Sequence, residues 1–330
     1  MSTVVILTII LALLFDFLNG MNDAGNSIAT LISTRILTPR LGVLWAAVFN
    51  IIGAFAFGVG VATTIGKGIV DPYAVKPLVI MAALIGSMIW TYNCTRLGIP
   101  SSVSHSLIGG LCGAAVMKSG LATLNIAGIA KIAVFIVVAP LMGMVVSAVM
   151  MILLSWIVKS WSKMKVEKAF SKLQLLSSAA FSVSHGTNDA QKTMGIISIL
   201  LFSAGILGKE FYVPWWVILA CTLCIGLGTL AGGWKVIRTM GTKLTNLRPL
   251  GGSAAETGGA ITVIGASLAG IPVSTTHTIT GCIIGVGIQK NVGAVRWGMA
   301  SNIVLAWVFT IPAAAVGGAL FYYILSKLGL

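Results

Sequence analysis

Asn19-Gly20-Met21-Asn22-Asp23-Ala24-Gly25-Asn26 interrupts an otherwise apolar stretch, and its central tripeptide returns in His185-Gly186-Thr187-Asn188-Asp189-Ala190-Gln191-Lys192. Each copy has a glycine two residues ahead of its asparagine (Gly20, Gly186) and a phenylalanine seven residues ahead (Phe15, Phe181). A carboxylate at the centre of a bilayer costs about 2.5–3.5 kcal/mol on insertion scales, so such a residue marks an ion or substrate path by default. Two copies in matched surroundings point to a duplicated membrane protein whose working site lies where its halves meet.

The composition agrees with that reading. Hydrophobic residues make up 57% of the 330-residue chain and charged residues only 8%. Mean hydropathy is +1.03, whereas a soluble domain carries about 25% charged residues. Apolar runs of about 20 residues recur from end to end, each long enough to cross a hydrocarbon core as a helix. The first of them lacks a basic flank and a small-residue cleavage site, and reads as a membrane element rather than a removable signal. The formal charge of +14 is concentrated in loops; it reads as membrane topology, and no nucleic-acid partner is expected. Cys94, Cys112, Cys221, Cys224 and Cys282 all sit in apolar segments and read as packing residues. No cofactor is expected, and the chain reads as a non-enzyme.

A second repeated motif follows the first. Gly98-Ile99-Pro100 and Gly270-Ile271-Pro272 lie 172 residues apart, each with a histidine five residues beyond its proline (His105, His277). The Asn-Asp motifs lie 166 residues apart. Two motifs in one order at nearly one offset define an internal repeat. The halves are 1–158 and 173–330, joined at 159–172 by a basic segment with five lysines and Glu167. Basic loops belong in the cytoplasm, so 159–172 goes inside, as do the loop with Lys235, Arg238, Lys243 and Arg248 and the loop with Arg35 and Arg40. The loops around Lys209-Glu210 and around Lys67, Asp71 and Lys76 go outside. Equivalent loops then face opposite sides, and both termini fall outside. The expected fold is an all-α polytopic membrane protein of two inverted-topology repeats, an architecture recurrent among transporters, with broken helices, two re-entrant helical hairpins and about 10–12 membrane segments. Residues 98–113 and 270–285 each open with Gly-Ile-Pro, pass through hydroxyl residues and become glycine-spaced apolar helices. They read as half-helices whose starts point into the protein, with proline suited to the first turn.

The candidate site follows. Asn22, Asp23, Asn26, Asn188 and Asp189 offer oxygens to a hard monovalent cation or a proton; the competing reading is that they cap broken helices. Ser101, Ser102, Ser104, Ser274, Thr275 and Thr276 form two hydroxyl clusters at the presumed half-helix starts, where free N–H groups bind oxyanions, phosphate above all; simple capping and close packing compete. His105, His185 and His277 are the chain's three histidines, either proton-handling groups or neutral hydrogen-bonded ones. Lys192, at the place of Asn26 in the first half, shares a helical face with Asn188 and is expected to contact an anion or balance Asp189; Gln191 is grouped with it on the anion. Glu256, where the first half has Leu84, reads as a coupling-ion residue or as a loop position near the inner surface, so Na⁺ is assigned to Asp23, Asp189 and Glu256. Asp16, opposite Ser182, is a further buried acid.

The paired Asn-Asp and Gly-Ile-Pro…His motifs resemble those of the PiT-type inorganic phosphate transporters, over nearly the whole chain and most closely the short prokaryotic members. The resemblance implies inorganic phosphate symport driven by sodium or protons, a homodimer in the cell's inner membrane, and ion and phosphate binding by Asp23, Asp189 and the two hydroxyl clusters, with Glu256 matching the family's acid ahead of the second Gly-Ile-Pro motif. Two departures bear on what carries over. Eukaryotic relatives have another acid in the second membrane segment, and 50–60 here has none; they also have a large central loop, which 159–172 is not. Sulfate-carrying relatives share the framework, so a sulfate or related oxyanion symporter is the alternative. An anion channel would need the same site but no ion coupling. An intramembrane aspartyl protease would leave the Pro–hydroxyl–His segments without a role, and Gly20-Met21-Asn22-Asp23 and Gly186-Thr187-Asn188-Asp189 lack the second glycine of its usual signature.

Overall fold

In the computed structural model, which describes residues 2–56, 58–70 and 75–329, those residues form twelve α-helices and two 3-10 turns. Asp71 and the side chain of Lys67 lie outside this description. The first half comprises α1 (Thr3–Thr34), α2 (Pro39–Ala54), α3 (Gly60–Gly68), α4 (Pro77–Leu97), α5 (Val103–Ser119), a 3-10 turn (Leu121–Thr123) and α6 (Ile126–Ile157). The same series follows as α7 (Lys163–Ser203), α8 (Trp215–Ala231), α9 (Trp234–Lys243), α10 (Pro249–Leu268), α11 (Thr275–Lys290), a 3-10 turn (Val292–Ala294) and α12 (Trp297–Lys327). By length and apolarity α1, α4, α6 and α12 suffice to cross a membrane, and α8 with α9, bent by 68° between them, would make a fifth span. The chain is a multi-pass membrane protein.

The half-helices are made by local chemistry that both repeats share. Gly98 and Gly270 adopt left-handed backbone (φ +73° and +65°) just after α4 and α10. In each case the glycine N–H and the following isoleucine N–H turn back onto helix carbonyls: Gly98 to Thr95 O and Ile99 to Cys94 O, Gly270 to Ser267 O and Ile271 to Ala266 O. This is a Schellman-type close, which satisfies the last carbonyls, favours glycine and leaves the chain unable to continue as a helix once proline follows. The prolines therefore sit in the extended break, not in the first turn as expected. Ser102 and Ser274 start the next helices, their hydroxyls accepting from the N–H of His105 (3.2 Å) and His277 (3.3 Å).

The repeats then interlock crosswise. α5 packs on α12 and α11 on α6, while α1 packs on α8 and α9 and α7 on α2 and α3. Glycines set the closest approaches: a Cβ on Gly113 would stand 1.9 Å from Ala315 O, and one on Gly281 would stand 2.1 Å from Pro140 O. Small residues at such crossings let membrane helices associate through backbone contact. Two apolar clusters result. One gathers Val5 to Phe15 of α1 with α3, α4, α5, α8 and the end of α7; the other gathers Phe181 with α9, α10, α11 and the start of α12. Along α1 and α7 the buried polar stretches lie where the helices pass from one cluster to the other.

Segment 159–172 is a linker only at its start. From Lys163 it is the first part of the 41-residue α7, and four of its five lysines, Lys163, Lys165, Lys168 and Lys172, lie on a helix rather than in a loop.

Candidate functional site

The Asn-Asp motifs do not break their helices. α1 and α7 run through them uninterrupted, so neither motif acts as a helix cap. The side chains are instead held by other segments, and the glycines ahead of them allow those segments in. A Cβ on Gly20 would meet Ile225 O of α8 at 2.2 Å, and one on Gly186 would meet Asn50 O of α2 at 2.0 Å.

Asp23 and Asp189 come together around His185, all three buried, with their ligand-capable atoms within 4.8 Å of one another. His185 Nε2 lies 2.9 Å from Asp189 Oδ2 and 3.9 Å from Asp23 Oδ2, close in charge terms though poorly aligned for a hydrogen bond. Its Nδ1 is 3.2 Å from Asn50 Oδ1. The α11 tip reaches both acids: Thr275 donates to Asp189 Oδ2 (2.9 Å) and Thr276 to Asp23 Oδ1 (3.2 Å). Asn26 donates to the same hydroxyls, Thr276 at 2.9 Å and Thr275 at 3.3 Å. Asn22 donates to Asp23 Oδ1 (2.7 Å) and to Ser101 O at the α5 tip (3.3 Å), and accepts from Thr95 (2.8 Å).

Lys192 ties the second tip into this cluster. Its ammonium pairs with Asp189 and donates to Ser104 Oγ of α5 (2.5 Å) and to Val273 O ahead of α11 (2.8 Å). The side chain is only 2% exposed, and a buried ammonium with three acceptors is held, as such charges must be. Its partner is Asp189, one turn back, rather than Asn188, which donates to Ser267 instead (2.8 Å).

Several expected members stand apart. His105 and His277 face each other, ring centroids 4.7 Å apart, and His277 stacks on Trp307 at 3.8 Å; of the three histidines only His185 pairs with the carboxylates. The hydroxyls of Ser102 and Ser274 are engaged as caps, and Ser101 meets Asn22 through its carbonyl. The Gln191 side-chain oxygen accepts from the N–H groups of Val61 (2.9 Å) and Ala62 (3.3 Å), and so fastens the start of α3. Glu256 is not a loop residue. It is fully buried within α10 and accepts from Thr30 (2.5 Å), Gln174 (3.0 Å) and Ser177 (2.5 Å). It therefore makes its own pocket, about two turns along α1 from Asp23, apart from the cluster of Asp23, His185 and Asp189. Asn50, Thr95, Gln174, Ser177 and Trp307 had no repeated motif to single them out.

The sequence pattern described as "Phosphate transporter family" matches residues 19–318. A Rhizobium meliloti protein described as "Probable low-affinity inorganic phosphate transporter" is 54% identical over 315 residues, covering 96% of this chain and 94% of that one. A Bacillus subtilis protein of the same description is 42% identical, covering 98% and 97%. A solved structure titled "The sodium-dependent phosphate transporter" superposes over the whole of both chains with a TM-score of 0.91 at 29% identity.

Proposed function

The chain belongs to the phosphate transporter family, and on that premise we propose that it imports inorganic phosphate by symport with Na⁺ or H⁺. The observation that carries this reading is the convergence of both half-helix tips on one buried acid cluster: Thr275 and Thr276 from α11, and Ser104 from α5 through Lys192. Helix starts offer free N–H groups and positive dipole ends to an oxyanion. Charge then explains coupling. Asp23 and Asp189 against Lys192 and His185 leave the centre with no net positive charge even when the imidazole is protonated, so a phosphate anion beside them needs cations to enter with it. The paired Asn-Asp motifs supply oxygens for those cations, and the tips supply hydroxyls and N–H groups for the anion.

The crosswise packing of α5 on α12 and α11 on α6 supports an inverted-topology duplication, with alternating access as one region moves against the other. Loop charge supports placing both termini outside the inner membrane, and the sodium-dependent structural relative favours Na⁺ as the coupling ion. The family resemblance implies a homodimer.

The test is uptake of labelled phosphate into proteoliposomes under a sodium gradient or a pH gradient, with sulfate as competitor. Asp23→Asn and Asp189→Asn are expected to abolish concentrative uptake. Full uptake by either variant would remove the assigned site, and uptake of sulfate in preference to phosphate would change the substrate.

A further inference from the structure

Asp16 is completely buried in α1, and nothing above gives it a task. Its Oδ1 accepts from Thr193 Oγ1 of α7 at 2.8 Å. Its Oδ2 and the Oδ1 of Asn19, one turn along α1, accept no hydrogen bond from any described residue. The Asn19 carboxamide stands beside the carboxylate. The remaining titratable groups facing it are His185 and Asp189 of α7 and the thiols of Cys221 and Cys224 on α8. No lysine or arginine pairs with it among the described residues.

An isolated buried carboxylate costs several kcal/mol unless something positive accompanies it. The duplicated fold does not require an acid here, since the matching position in α7 is Ser182. What the site does offer is oxygen: two from the carboxylate, one carboxamide oxygen and one hydroxyl, the donor set of a hard cation. Its placement adds a reason. Asp16, Asp23 and Thr30, the last holding Glu256, follow at seven-residue steps on one face of α1, about 10 Å per step. Acids thus stand at three levels along one buried polar stripe, with Asp16 and Glu256 on opposite sides of the central cluster.

We propose that Asp16, Asn19 and Thr193 form a further site for the coupling cation, on the side of the central cluster away from Glu256. The site deepens the symport reading and rests on it. A proton or Na⁺ would meet the same oxygen chemistry, and the two gradients separate them. Asp16→Asn removes the charge at nearly constant shape, so one coupled cation per cycle is lost. At a membrane potential of 100 mV the limiting phosphate accumulation should fall about fifty-fold, the equivalent of about 2.3 kcal/mol. The steepness of the cation dependence should fall by about one ion, under the sodium gradient if Na⁺ is the occupant and under the pH gradient if H⁺ is. Phosphate counterflow exchange at saturating cation should persist, which shows that the variant is folded and binds substrate. Thr193→Val, which keeps the acid, should raise the half-saturating cation concentration several-fold, and it carries the test if Asp16→Asn does not fold. Unchanged steepness and accumulation in Asp16→Asn, or an unchanged half-saturating concentration in Thr193→Val, would overturn the proposal. Absence of cation-driven uptake in the unsubstituted protein would instead overturn the symport reading itself.

Discussion

Lys192→Met tests the charge arithmetic of the centre directly. The substitution keeps most of the side chain's apolar volume and removes the ammonium from a position 2% exposed. Asp189 then keeps Thr275 at 2.9 Å and His185 at 2.9 Å but loses its strongest partner; Ser104 Oγ and Val273 O lose a donor as well. Deleting one member of a buried ion pair costs about 3–5 kcal/mol, because the other charge is left buried and uncompensated. Adding Asp189→Asn removes that stranded charge, so the double variant should recover most of the loss. The expected coupling energy is about 3 kcal/mol, far outside the additivity of independent sites. Thermal and denaturant unfolding of the purified protein, followed by the fluorescence of its nine tryptophans, reads the stability order: wild type, double variant, Lys192→Met. Neither variant should concentrate phosphate, since both lack the cation beside the anion site, and this separates folding from function. Equal destabilisation in the single and double variants would refute the pairing and, with it, the charge balance from which coupling was argued.

Further outcomes follow from packing and hydrogen bonding elsewhere. Gly113→Ala places a Cβ 1.9 Å from Ala315 O, so α5 must part from α12 by more than an ångström; overpacking of this kind costs about 1–3 kcal/mol. Gly265→Ala, with nothing within 4 Å, should leave the unfolding temperature unchanged or raise it, and a matching loss there would discredit the close-crossing argument. At Glu256, leucine strands the donors of Thr30, Gln174 and Ser177 at about 1–3 kcal/mol each. Glutamine keeps acceptors within the pocket, so Glu256→Gln should unfold near the wild-type temperature while its half-saturating cation concentration rises; an unchanged cation dependence would make Glu256 a structural residue only.

Residues whose behaviour depends on near neighbours in the chain were readable from the sequence. Gly98 and Gly270 close their helices with bonds spanning three to five residues, and Ser102 and Ser274 cap the next with bonds spanning three; such signals lie in the local spelling. The duplication was readable for the same reason, because each half repeats the spelling. Helix continuity at the Asn-Asp motifs was not. Asparagine and aspartate favour breaks when their side chains compete for their own backbone, but here Thr275, Thr276 and Thr95 engage them from other segments, and the helices pass through.

Partner choice is the deeper limit. Periodicity assigns a residue to a face, yet says nothing of which helix that face meets. Asp16 meets Thr193 across 177 residues and Glu256 meets Thr30 across 226, contacts that exist only because the halves exchange partners. A site built at a crosswise junction has its residue types written in each half, and its geometry in neither. That is why the repeated acids were visible as a pair, while the unrepeated ones, Asp16 and Glu256, stood in the sequence as candidates without partners and gain them only once α1 is seen to carry a polar stripe past all three levels.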